Sequence, residues 1–196
     1  MIYLCKQCNN LINQRKSAKG IVCPYCGKTL GKQAETSHKK LKSMAWKSFS
    51  DYIRLRDAIL TTGTDDECVC YTCGKRYSLI VIQAGHLIDG RQNADLFDEE
   101  LVKGQCRQCN VLKHGMQGVF LLNILKEKAE NSRYENVSLD EIEEMLNRFQ
   151  NKRQTVFNEE ELFEIYKEYQ GKTKELKEAF ERERSKVKGK FNGSGV

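Results

Sequence analysis

Eight of the nine cysteines fall into four Cys-x-x-Cys pairs: Cys5/Cys8, Cys23/Cys26, Cys70/Cys73 and Cys106/Cys109. A two-residue gap lets a tight turn aim two thiolates at one ion, and two such turns complete a tetrahedral site. The first two pairs are 14 residues apart and the last two 32, spacings that predict two structural zinc ions. A redox role calls for a single motif in a βαβ setting, a pattern the chain lacks. There is no secretory leader pattern and no apolar run long enough for a bilayer, so no membrane partner and a cytoplasmic location, where thiols stay reduced, are expected. Cys68 is left over and reads as a plain thiol, buried or partly exposed.

Charge is distributed unevenly. Residues 1–60 carry 12 Lys/Arg against 3 Asp/Glu, whereas residues 61–196 carry 21 against 24. A concentrated basic segment neutralises phosphates and releases counterions, so salt-sensitive DNA binding is expected of the N-terminal third. The expected phosphate contacts are Arg15, Lys16, Lys39, Lys40, Lys42, Lys47, Arg54, Arg91 and Lys113; a merely solvated charged face is the plainer reading of the same residues.

The expected fold is α+β, in five parts: a zinc ribbon (1–35), a basic helix and linker (36–66), a zinc-stapled ββα core (67–118), a helical tail (119–186) and a disordered basic tail (187–196). From Ser37 to Leu60 an apolar stripe of Leu41, Ala45, Phe49, Tyr52, Leu55 and Ile59 predicts a helix that packs one face and offers Lys39, Lys40, Lys42, Lys47, Arg54 and Arg56 on the other. His38 at its start reads as solvated or capping. The run Tyr77–Ile82 predicts a strand, with His86 directly after it. Residues 87–100 read as polar loop, and a helix is expected from Gln105 to His114. Beyond Gly118, Ser138-x-x-Glu141 and Asn158-x-x-Glu161 are capping boxes for two more helices. Leu162, Tyr166, Tyr169, Leu176 and Phe180 form the apolar side of the last one, which covers the core or forms a dimer seam.

The order knuckle, strand, His86, loop, second knuckle, then Cys109-Asn110 resembles the HNH (His-Me finger) nuclease motif. Phosphodiester hydrolysis needs a base, a divalent ion and rigid positioning of both. His86, titrating near neutrality, suits the base. Asn110 and His114, four apart, would share one helix face and one ion, so the catalytic set is His86, Asn110 and His114, with His86 and Asn110 converging across that ion. Magnesium or manganese is the expected ion; a hard ion favours Asn110, and a softer one accepts His114 as well.

A narrower likeness covers roughly residues 3–185. The series of basic ribbon, basic helix, Cys-x-x-Cys-Gly, Ala84-Gly85-His86, Phe97-Asp98-Glu99, Gln105-Cys106-x-x-Cys109-Asn110, Lys113-x-Gly115 and helical tail resembles the NinG (Rap) recombination endonucleases of lambdoid phages. The resemblance implies a metal-dependent, structure-specific endonuclease, a phage protein in the host cytoplasm, acting on branched DNA such as Holliday junctions and D-loops, possible as a homodimer. Two positions depart from the wider HNH pattern. Gly85 stands where many HNH sites have an Asp or His ligand, and Leu101 stands where the middle Asn falls. Asp89, Asp98, His114 or water are the candidate replacements, and a backbone carbonyl is the candidate holder for His86. The alternatives are a non-catalytic zinc protein that binds DNA and a zinc-dependent adaptor that uses the tail helices.

Overall fold

The computed structural model describes the chain apart from residues 1, 14–20, 31–36, 89, 91–93, 132–137, 152–153 and 192–196. Leu41, Ala45, Phe49 and Ile53 recur every four residues and are fully buried, the pattern of a helix with one face in a core. The helix is α1 (His38–Thr62), capped by the Ser37 hydroxyl and ended by Gly63 at φ 67°, a left-handed conformation that glycine adopts without penalty. The expected stripe holds, with Tyr52 and Ile59 half-buried and Ala58 joining it. His38 is not a cap; its Nε2 lies 2.7 Å from the Phe157 carbonyl.

Among the described residues the strands form four two-stranded antiparallel sheets. The ribbon is two small hairpins, β1 (Ile2–Leu4) with β2 (Leu11–Asn13) and β3 (Ile21–Val22) with β4 (Thr29–Leu30). Then come β5 (Glu67–Val69) with β6 (Arg76–Ser78), and β7 (Ile82–His86) with β8 (Val102–Cys106). The expected strand Tyr77–Ile82 is therefore interrupted. Leu79 N–H bonds to the Asp66 carbonyl, and the chain turns at 79–81 with Ile80 and Val81 exposed. An apolar run alone cannot distinguish a buried strand from a turn whose apolar residues face water. His86 is the last residue of β7 rather than a residue beyond it.

The sheet β7–β8 is covered on both faces. Ile82, Ala84, His86 and their partners on β8 face α1, where the Asp57 carboxylate accepts the Gly104 N–H at 2.6 Å. Burial pushes the Asp57 carboxyl above its ordinary range despite the neighbouring Arg56. Cys68 is a buried thiol at this seam, raised to about 11 by burial. The other face carries Gln83 and Gly85. The segment 87–100 is not purely polar, because Leu87, Ile88 and Leu96 are buried and pin it down.

The remaining helices are α2 (Gln117–Asn131), α3 (Leu139–Gln150) and α4 (Glu159–Phe191). Both capping boxes form: Ser138 with Glu141, and Asn158 with Glu161, whose backbone and side-chain groups bond reciprocally at 2.7 and 2.9 Å. Phe120 and Ile124 of α2 and Met145 of α3 pack with Leu87, Ile88 and Leu101. Leu162, Phe163 and Tyr166 of α4 pack on Leu41 and Ala45 and on Ile2 and Leu11 of the ribbon, so the ribbon is docked on the helices and is no loose satellite. Leu176 and Phe180 are half-buried, and residues 181–186 are exposed. Helix α4 continues through Phe191, past the expected boundary at 187; residues 192–196 of the expected disordered tail lie outside the described residues. No described helix is long and apolar enough to cross a membrane.

Candidate functional site

The knuckles arise from local backbone chemistry. In the first three, the N–H two positions past the turn centre bonds back to the first cysteine's carbonyl: Asn9 to Cys5 at 2.7 Å, Gly27 to Cys23 and Gly74 to Cys70 at 2.9 Å. The closing residue is left-handed in each, Asn9 at φ 58°, Gly27 at 70° and Gly74 at 68°, which favours Gly and Asn. The result is two sets of four sulfurs, Cys5, Cys8, Cys23, Cys26 and Cys70, Cys73, Cys106, Cys109, each within 4.8 Å of one another. This is the spacing and donor set of a tetrahedral zinc site. Each set contains one readily ionised thiol. The Asn10 N–H and side chain draw Cys8 down to about 6. Burial opposes ionisation of Cys70, yet the N–H groups of Cys106 and Cys73 bring it to about 6.

The fourth knuckle departs from the others. Asn110 follows Cys109 as Asn9 follows Cys8, but its backbone is not left-handed. It lies inside a π-helical turn, Gln108–Leu112, closed by Lys113 N–H to the Gln108 carbonyl at 2.9 Å. Single π turns inside helices frequently mark functional positions. Its side chain points at the outer face of β7, with Nδ2 donating to Gln83 Oε1 at 2.9 Å. A Cβ placed on Gly85 would lie 2.9 Å from Asn110 Oδ1 and 1.9 Å from Gln105 Oε1. The place where an acidic ligand would stand thus holds two amide oxygens.

His86 is oriented from the opposite side. Its ring stacks on Trp46 of α1, centroids 4.8 Å apart and planes at 21°, and its Nε2 lies 3.2 Å from the Leu96 carbonyl. His86 and Asn110 therefore do not converge across one ion on one face. They flank the end of β7 from its two faces, as neighbouring strand positions must. The expected pairing of Asn110 with His114 also fails, because the helix between them is broken. His114, Gly115 and Met116 are all left-handed, at φ 50°, 79° and 49°, so four residues no longer make one turn; His114 is exposed. Asp98 is committed elsewhere: Oδ1 accepts the Glu100 and Leu101 N–H groups, and Oδ2 pairs with Arg148. Asp89 lies outside the described residues.

The expected phosphate contacts divide in the same way. Lys39, Lys40 and Lys113 are exposed, and Lys47, also exposed, pairs with Asp51 one turn on. Lys42 sits over the Phe157 ring. Arg54 donates to Asp51 and to the Ile82 carbonyl, and Arg56 pairs with Asp57 and Glu99 and donates to two carbonyls. These two arginines fasten α1 to its neighbours, a role that an off-stripe position does not reveal. Arg15, Lys16 and Arg91 lie outside the described residues. Sequence reasoning missed Trp46, Gln83 and Gln105. A usable signal for the last two was a pair of glutamines that become direct cross-strand partners.

Two groups of four cysteines that could hold structural zinc, the second leading straight into Asn110, define a mixed α+β protein of small sheets and helices. Residues 28–181 match the family described as Bacteriophage Lambda NinG protein, and the chain belongs to that family of phage recombination-related proteins. No curated protein and no solved structure matches the chain.

Proposed function

We propose that this chain is a metal-dependent, structure-specific endonuclease that acts on branched DNA, such as Holliday junctions and D-loops, in phage recombination. The observation that carries the reading is the end of β7, where His86 and the Gly85 position beside Asn110 Oδ1 are consecutive. Consecutive strand residues point to opposite faces, so the reading requires the His86 ring and the Asn110 oxygen to reach one scissile phosphate from either side of the strand end. The Leu96 carbonyl only accepts, so Nε2 of His86 donates to it and the ring is held in one orientation at the strand end. A bound divalent ion supplies charge neutralisation at the scissile phosphate. The fourth knuckle fixes Asn110, and Lys39, Lys40 and Lys113 supply exposed positive charge for the backbone of the DNA. Cutting two strands of a junction requires two sites, so a homodimer belongs to the proposal.

The test is cleavage of a synthetic four-way junction with magnesium or manganese. His86→Ala is expected to lose about 10²–10⁴-fold in rate, the usual worth of a positioned base, while retaining its zinc. Undiminished cleavage by that variant rejects the assignment.

A second reading has its own support. Gly85 offers no ligand side chain and His86 is packed on Trp46, both compatible with a zinc-stapled DNA-binding protein without catalysis. Salt-dependent junction binding with no cleavage under either ion would establish it.

A further inference from the structure

Gln105 is fully buried on β8. Its Nε2 donates to Thr72 Oγ1 at 3.1 Å and to the Gly115 carbonyl at 2.8 Å. A main-chain carbonyl only accepts, so the amide nitrogen must face Gly115 and the amide oxygen must face the other way. That direction is Gly85, whose absent Cβ would stand 1.9 Å from Oε1. Among the described residues Oε1 has no hydrogen-bond partner. Buried polar atoms in folded proteins are almost always satisfied, and an unpaired one calls for an explanation such as an ion. Asn110 Oδ1 lies 2.9 Å from the same point.

We propose that Gln105 Oε1 and Asn110 Oδ1 are the protein ligands of a hard divalent cation at the end of β7, with Gln105 filling the role that an acidic residue before the histidine fills in other HNH sites. The assignment rests on the nuclease reading above and names the group that completes its metal shell. Oxygen donors suit magnesium or manganese, which keep several waters and take substrate phosphate oxygens as further ligands. The thiolates next door hold the softer zinc. Gly85 is then the requirement for the site rather than a gap in it, since any side chain there would strike the Gln105 oxygen. The run of left-handed residues at His114, Gly115 and Met116 acquires a purpose too, because it delivers the Gly115 carbonyl that fixes the amide. Two neutral oxygens hold a cation weakly, so DNA phosphate completes the shell and ion and DNA bind cooperatively.

The test uses full-length, zinc-loaded protein labelled with ¹⁵N and titrated with substoichiometric Mn²⁺. The side-chain NH₂ signals of Gln105 and Asn110 are expected to broaden first and to return when excess Mg²⁺ is added. Broadening confined to His114 or to the exposed carboxylates, with Gln105 intact, overturns the proposal. Gln105→Met is expected to keep both zinc ions and lose at least tenfold in Mn²⁺ affinity; wild-type affinity in a zinc-loaded Gln105→Met overturns it as well. If that variant fails to retain zinc, the wild-type titration decides. Gly85→Asp alone is expected to clash, whereas Gly85→Asp combined with Gln105→Ala binds Mn²⁺ more tightly than wild type without DNA. Cleavage that survives in Gln105→Met rejects the ligand and leaves the nuclease reading standing. Mn²⁺ bound at Gln105 in a wild-type protein that never cleaves rejects the nuclease reading and leaves the site.

Discussion

The two cysteine clusters share a donor set and the two-residue gap inside each knuckle yet are used differently. In the ribbon, Cys8 and Cys26 are half-buried, both knuckles close with a left-handed residue, and two short hairpins do little beyond carrying the sulfurs. In the core, Cys70, Cys106 and Cys109 are buried, and only the knuckle at Gly74 closes in that way. At the fourth knuckle the chain runs from Cys109 into the π turn instead, and Asn110 reaches Gln83 of β7.

Substitutions in and beside the knuckles test this contrast. The largest effect is expected at the core cluster. A structural zinc contributes about 10–16 kcal/mol of apparent binding energy in small zinc-dependent domains, comparable to the whole stability of a typical domain. Cys106→Ser should therefore abolish the cooperative thermal transition of the core, whereas Cys23→Ser should lower zinc content by one ion and leave the α1, β7 and β8 packing cooperative. Metal analysis with calorimetry measures both, and equal damage from the two would remove the distinction.

Next comes the pair of knuckle asparagines. Asn110→Ala is expected to keep both zinc ions and to lower junction cleavage by about 100-fold or more, beyond the usual cost of disturbing a metal site's outer partners. Asn9→Gly, at a left-handed position, should leave both zinc content and cleavage unchanged. A smaller effect belongs to Gly74→Ala, which forces a Cβ into the left-handed region at a cost of about 1–2 kcal/mol, read from chemical denaturation.

The smallest concerns Glu99, which accepts from Lys172 and Tyr169 and pairs with Arg56. Burial alone would raise its carboxyl, yet these partners hold it below its ordinary 4.5. The folded state thus binds fewer protons there than the unfolded chain, so the stabilisation is present above pH 4.5 and fades as pH falls through the lowered value. Glu99→Gln should reduce stability at neutral pH and flatten the acid limb of a pH–stability curve.

Local signals were the legible ones. The Cys-x-x-Cys spacing located both clusters, the four-residue recurrence from Leu41 gave α1, and Ser138 and Asn158 marked the starts of α3 and α4 within a residue. These features depend on neighbours in the chain. What was hidden depends on partners far away in it. Tyr77–Ile82 has the composition of one strand, but the Asp66 carbonyl captures Leu79 and folds it into a turn. Gln105 and Asn110 meet only because β8 pairs with β7 in one register. Three successive left-handed residues at 114–116 leave no trace in composition beyond Gly115, so a helical spacing argument for His114 had nothing to warn it. Two arginines that looked like phosphate contacts are occupied with carbonyls and carboxylates from other elements.

The docking of the ribbon on α4 ties the first residues of the chain to nearly the last. Ile2 and Leu11 are covered by Leu162, Phe163 and Tyr166, so during synthesis the ribbon can load its zinc early while its apolar underside waits for the final helix to leave the ribosome. Emergence of α4 then becomes the step that covers the ribbon, and a chain cut short before α4 would carry an N-terminal module with its apolar underside exposed.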